Sequence, residues 1–148
     1  MPDDQTIASP AEMKKFAAEL LATLKPGTTL LLKGELGAGK TTFVQGLAAA
    51  LGISDTVNSP TFTVAAHYPT TTHPTIKELV HLDLYRLEPD QADDDPAVRD
   101  TLEQATSPDR LTVIEWSDRL SSPPSSSIRL NFSHTSTPTQ RVVKIFSK

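Results

Sequence analysis

"GELGAGKTTF" occupies residues 34–43, directly after the apolar run "TTLLLK" at 28–33. Gly34, Gly39, Lys40 and Thr41 satisfy the pattern G-x-x-x-x-G-K-[ST]. At average residue frequencies, chance produces it in about one chain of this size in two hundred. The flanks match what the pattern requires. Thr28 to Lys33 reads as a short buried strand, and a helix starting within the loop runs to about Leu51, with Val44, Leu47, Ala48 and Leu51 as its core stripe. Gly52 supplies the stop. The residue types follow from phosphate chemistry. Gly37 and Gly39 let the backbone curl so that successive N–H groups point at phosphate oxygens. The helix N-terminus adds partial positive charge behind them. Lys40 is then placed for the β- and γ-phosphates of a nucleoside triphosphate, and the Thr41 hydroxyl for Mg²⁺.

The 148 residues suggest one domain, 1–148, with room for a proper core but little for a second substrate site. No apolar stretch approaches the roughly 20 residues that span a bilayer, so no membrane association is expected. "MPDDQTIASP" reads as neither a secretory signal nor a basic transit peptide, and cysteine is absent, which fits a cytoplasmic protein. The net charge of −4 is not that of an autonomous nucleic-acid binder, so any nucleic acid should be held by a partner.

Upstream of the loop, "SPAE" at 9–12 reads as a capping box with Ser9 as N-cap and Glu12 at N3. Met13, Phe16, Ala17, Leu20, Leu21 and Leu24 follow at helical spacing until "KPG" at 25–27. Downstream, Thr61 to Tyr68 and Ile76 to Leu84 read as two strands of an antiparallel hairpin across "PTTTHP". Glu88 to Asp95 is acidic and loop-like. Asp95 and Pro96 then open a short helix with Val98, Leu102 and Ala105 on one face. "LTVIEW" at 111–116 is a further short strand, preceded by that helix as a parallel crossover requires. "SSPPSSS" at 121–127 is a connector, and Ile128 to Phe132 with Arg141 to Phe146 form a closing pair of strands.

A triphosphate-hydrolysing site needs an acid at a neighbouring strand end to hold the metal. "LVHLD" ends in Asp83 and "LTVIE" in Glu115. Glu115 follows four apolar residues on the strand expected to run parallel to the loop strand, and is assigned to Mg²⁺. Asp83, sharing a strand face with His81 by period two, is left to orient or deprotonate the attacking water. The converse assignment stays open. His81 alone reads first as a structural histidine, and Trp116 as packing or a lid. In "NSPTF" at 58–62, Ser59 and Thr61 are candidates for sensing the γ-phosphate.

"GELGAGKTTF", "SPTFTV", "HLDLYRL" and "VIEW", in this order and spacing, resemble the TsaE (YjeE) family of small P-loop ATPases, over roughly Ser9 to Arg119. The resemblance implies an α/β fold: a single P-loop NTPase domain with a mixed, mostly parallel sheet flanked by helices and extended by antiparallel strands. It implies ATP and Mg²⁺ as cofactors, weak ATP hydrolysis by the chain alone, and association with the proteins TsaD and TsaB in making threonylcarbamoyladenosine beside the tRNA anticodon. tRNA would be met only through that complex. Glu35, Leu36, Gly37, Ala38, Gly39, Lys40, Thr41 and Thr42 fall on the family's ATP-binding motif, with Thr41 and Glu115 on its magnesium positions. Asp83 falls on the acid of its "DLYR" motif, and Arg141 matches an Arg that opens the last strand near the nucleotide. Three departures stand out. Glu88 to Arg110 contains none of the aromatic residues usual there, Met13 lies where Thr is common, and Glu35 replaces a common Asp.

A small-molecule kinase is the alternative. Such enzymes usually add an Arg-rich lid, whereas Arg86, Arg99, Arg110 and Arg119 are scattered and the segment after Asp83 is acidic. A GTPase-like switch lacks any "NKxD" guanine-reading motif.

Overall fold

Strand β2 (Thr29–Gly34) is where the apolar run predicts it, and all but one of its first four positions are aliphatic and buried on both faces. A strand of this kind sits in the middle of a sheet. The computed structural model, which describes residues 3–25, 27–35, 37–53, 65–85, 87–122, 124 and 127–147, places it there. The other elements are β1 (Asp3–Ile7), α1 (Pro10–Leu21), α2 (Lys40–Ala50), β3 (Ala65–Pro69), β4 (Glu78–Asp83), α3 (Pro89–Ala92), α4 (Pro96–Glu103), β5 (Arg110–Glu115), β6 (Ser127–His134) and β7 (Arg141–Ser147). One seven-stranded sheet runs β1-β7-β6-β2-β5-β4-β3. Its centre, β6-β2-β5-β4, is parallel. β3, β7 and β1 add antiparallel edges.

Residue alternation divides the sheet between two cores. Leu30, Leu32, Leu79, Val113, Leu130 and Val143 face α1 and α2, where Phe43 is fully buried with its ring 5.5 Å from that of Phe132. Leu31, Leu82 and Ile114 face the other way, towards Ala92, Val98 and Leu120. Helix α1 starts as its sequence requires, because Ser9 accepts the Glu12 N–H at 3.2 Å. It stops at Leu21, so Leu24 lies beyond it yet still packs against the first core.

Gly46 sets the α1–α2 distance. A Cβ there would lie 2.7 Å from Lys14 Cα and 2.9 Å from Ala17 Cβ, so the backbones must separate to admit one. Gly46→Ala should therefore lose about 1–3 kcal/mol despite alanine's better helix propensity. A denaturant midpoint equal to the wild type's would contradict this packing.

Three elements among the described residues were not anticipated. The N-terminus pairs as strand β1 against β7, the acidic segment contains the single turn α3, boxed by Glu88 and Gln91, and Ser117–Arg119 forms a 3-10 turn after β5. The hairpin of β3 and β4 is as expected, although residues 61–64 lie outside the described residues.

Candidate functional site

The glycine-rich loop leaves β2 at its C-terminal end and enters α2 at Lys40. Gly37 and Gly39 have φ of 78° and 105°, a region L-residues enter at a cost. A Cβ on Gly39 would also meet Met13 Cε at 2.8 Å, so α1 closes against the loop. Gly39 caps α2 without any side-chain hydrogen bond. The N-terminal end of α2, with its partial positive charge, thus faces the loop without a side-chain cap. Ala38 is buried and its N–H donates to Glu35 O at 3.1 Å, which holds the loop's curl, while Glu35 itself is exposed. Thr41 and Thr42 are half-buried in the first turn of α2.

Lys40 is 4% exposed. Its ammonium donates to Gly34 O at 2.6 Å and lies 4.0 Å from the centroid of the Trp116 ring. Burial lowers its pKa, while the charges of Glu115, Asp83 and Asp118 oppose that shift. The carboxylates reach this place through strand register. β4 and β5 align Asp83 with Glu115, and alternation puts both, with His81, on the α2 side of the sheet.

Glu115 and His81 are buried, and His81 Nε2 lies 2.5 Å from Glu115 Oε2. The expectation that His81 and Asp83 share a face is met, but the imidazole's partner is Glu115. Asp83 instead accepts the Tyr85 N–H at 3.0 Å. Burial raises the Asp83 pKa above its ordinary 3.8, and the Glu115 charge adds to that; the Tyr85 N–H, His81 and Lys40 work against it.

The folded chain therefore keeps a proton on Asp83 where the unfolded chain has already released it. Stability should fall as pH rises from about 4 through the raised value, the reverse of a salt-bridged aspartate. Asp83→Asn keeps an acceptor for Tyr85 and removes the buried charge. Its melting temperature should exceed the wild type's by about 2 °C at pH 7, with the gap closing towards pH 4. A gap independent of pH would show that charge burial is not its cause.

Trp116 is the one described non-glycine residue with positive φ, at 59°. Such a conformation costs about 1–3 kcal/mol and persists where surrounding contacts fix it. Here the ring is held against Lys40, against Tyr85 at 5.0 Å between centroids, and beneath Arg119 at 5.7 Å. Tyr85, Asp118 and Arg119 were not singled out in the sequence, although Tyr85 lies inside "DLYR".

Arg141 does reach the loop. Its guanidinium donates to Gly37 O at 3.2 Å and to Pro138 O and Gln140 O at 2.7 and 2.9 Å, tying the loop to the β6–β7 turn. It also borders a hollow of about 240 Å³ with Ile7, Met13, Gly39, Thr42 and Thr139. Leu36, Ser59 and Thr61 lie outside the described residues.

Fold and site together define an α/β protein whose glycine-rich loop joins the central parallel strand to a helix, with an acid at the end of each of two neighbouring strands. The family description "Threonylcarbamoyl adenosine biosynthesis protein TsaE" matches residues 7–143, and the chain belongs to that family. Three proteins named "tRNA threonylcarbamoyladenosine biosynthesis protein TsaE" illustrate the likeness. That of Rickettsia bellii is 41% identical over 80% of this chain and 77% of its own length. That of Synechocystis is 38% identical over 75% and 68%. That of Bacillus subtilis is 47% identical over 57% of this chain, and the match spans only 51% of its own length. The crystal structure of YdiB from Bacillus subtilis superposes with a TM-score of 0.74 at 26% identity, covering 99% of this chain and 86% of that one.

Proposed function

We propose that this protein is a Mg²⁺-dependent ATPase that serves tRNA threonylcarbamoyladenosine synthesis as an accessory subunit of the TsaD–TsaB pair. The observation that carries the reading is the convergence of Lys40, Asp83 and Glu115 at the mouth of the glycine-rich loop. The loop and the first turn of α2 take the phosphates through backbone N–H groups. Lys40 leaves Gly34 O for the β- and γ-phosphates. The hollow beside Met13 and Arg141 receives the base.

Thr41 and Glu115 would hold the magnesium ion. The buried carboxylate of Glu115, held through Oε2 by His81 Nε2, suits a fixed ligand. When bound, the ion neutralises charge developing on the phosphoryl oxygens. Asp83 is less buried, and its raised pKa favours proton uptake, which suits a group that aligns water and accepts its proton.

The decisive experiment is ATP hydrolysis by the chain alone and with its TsaD–TsaB pair, with GTP as control. Slow hydrolysis alone that rises with the pair supports the reading. A rate unchanged by the pair would sink the accessory role.

A further inference from the structure

The second core stops halfway across the sheet. Leu31, Leu82 and Ile114 on β2, β4 and β5 are covered by α3, α4 and Leu120, but no residue of β6, β7 or β1 belongs to that core. By register, the same face continues over Arg129, Asn131 and Ser133 of β6, over Phe146, Lys144 and Val142 of β7, and over Asp4 and Thr6 of β1. Lys33 joins it beside Asn131. Lys33, Arg129, Lys144, Ser133, Asp4 and Thr6 are exposed, and Phe146 is one of two exposed large hydrophobic residues among those described. Three strands thus present a largely exposed sheet face, with Asn131 and Val142 half-buried among the residues named.

Its chemistry is specific. Lys33, Asn131 and Lys144 form one row across three strands, with the lysine Cα atoms about 10 Å apart. Arg129 and Phe146 are direct cross-strand neighbours in the next row. Among the described residues no carboxylate forms an ion pair with any of these three cations. Asp4 of β1 is the register partner of Lys144 and closes that row at the sheet edge, and Glu35 borders the hollow at the row's other end. Where the row reaches the end of β2, a hollow of about 360 Å³ opens between Lys33, Asn131, Ser133 and His134, and the buried Asn131 Oδ1 has no hydrogen-bond partner among the described residues.

We propose that this face docks RNA, with phosphates along Lys33, Arg129 and Lys144 and an unpaired base stacked on Phe146. A specific protein interface needs a desolvated apolar centre from which lysine is depleted. Here the centre is Asn131 flanked by two lysines, and Val142 and Phe146 are the only apolar members. Cations in rows beside an exposed ring are what a single-stranded or loop RNA uses, through phosphate contacts and stacking. The net charge of −4 does not oppose this, because the acidic segment from Glu88 to Asp109 belongs to the half of the sheet covered by α3 and α4. The hollow borders the glycine-rich loop at Gly34 and Glu35, but Arg129, Lys144 and Phe146 lie on the sheet face turned away from α1 and α2, so variants at these three test the RNA reading apart from the nucleotide reading.

Fluorescence anisotropy with labelled unfractionated tRNA tests it on the full chain. The wild type should bind at 50 mM KCl. R129E/K144E should weaken binding at least about 10-fold and flatten the slope of log K against log salt by about 2. Phe146→Ala should weaken it about 5- to 100-fold. If the double reversal misfolds, as read by circular dichroism, R129Q/K144Q replaces it with the same expected direction. No binding by the wild type at about 100 µM would overturn the proposal. So would charge-driven binding that ignores Phe146→Ala, or polyglutamate binding as tightly as RNA, which would make the occupant an acidic polypeptide.

Discussion

Lys40→Ala is expected to bind ATP at least about 100-fold more weakly than the wild type, measured by calorimetric titration. Lys40 is 4% exposed and its ammonium donates to Gly34 O, so a phosphate that replaces that carbonyl meets a charge with little water left to remove. Truncating one partner of such a buried charged pair costs about 2–5 kcal/mol, and each 1.4 kcal/mol is about tenfold. Asp83, Glu115 and Asp118, which the Lys40 charge now offsets, would stand beside the γ-phosphate without compensation. Their repulsion adds to the loss, and Mg²⁺ would recover only part of it. ATP affinity unchanged in Lys40→Ala would mean that the loop does not cradle phosphate.

This site was legible because phosphate binding dictates residue types within one short segment. Gly37 and Gly39 are required by φ, Lys40 by charge, and the helix by its N-terminal donors. The start of α1 was legible for the same reason, since an N-cap is local: Ser9 accepts the Glu12 N–H three residues on, although the returning half of the expected capping box is not made and the Glu12 carboxylate accepts from Ala8 N–H instead. Strand β1 was not. "DDQTI" is polar along almost its whole length, and only pairing with β7, more than a hundred residues away, makes it a strand. Helix α3 is one turn and too short to show a period.

The acids show the boundary most clearly. Period two places His81 and Asp83 on one face, but nothing local says which residue of another strand meets the imidazole. The register that opposes Asp83 to Glu115 decides it, and that register is a property of the whole sheet. The left-handed backbone of Trp116 had no signal at all, because tryptophan is not a residue that seeks positive φ. Contacts with Lys40, Tyr85 and Arg119, from three separate parts of the chain, hold it.

His81→Leu should lower stability by about 3–5 kcal/mol, the cost of breaking a buried pair from one side. The 2.5 Å contact occupies Glu115 Oε2, so His81 fixes the carboxylate's rotamer and leaves Oε1 for other partners. Leucine would leave a buried oxygen without a donor, and the carboxylate would turn to find one. Supporting partners of a metal ligand typically change metal affinity about 10- to 100-fold, so the Mg²⁺-dependent part of ATP binding should weaken by that factor. His81→Gln separates orientation from packing, because its amide N–H can reach where Nε2 stands. Its stability should fall less than that of the leucine variant, and its Mg²⁺ dependence should stay close to the wild type's. Equal Mg²⁺ dependence in all three proteins would make His81 a packing residue only. Its Nδ1 already lacks a hydrogen-bond partner among the described residues. A residue chosen for packing alone would not carry that cost, and leucine, which fills much of the same space, would be the better occupant. The unpartnered nitrogen therefore argues that the other nitrogen, on Glu115, is why a histidine stands there.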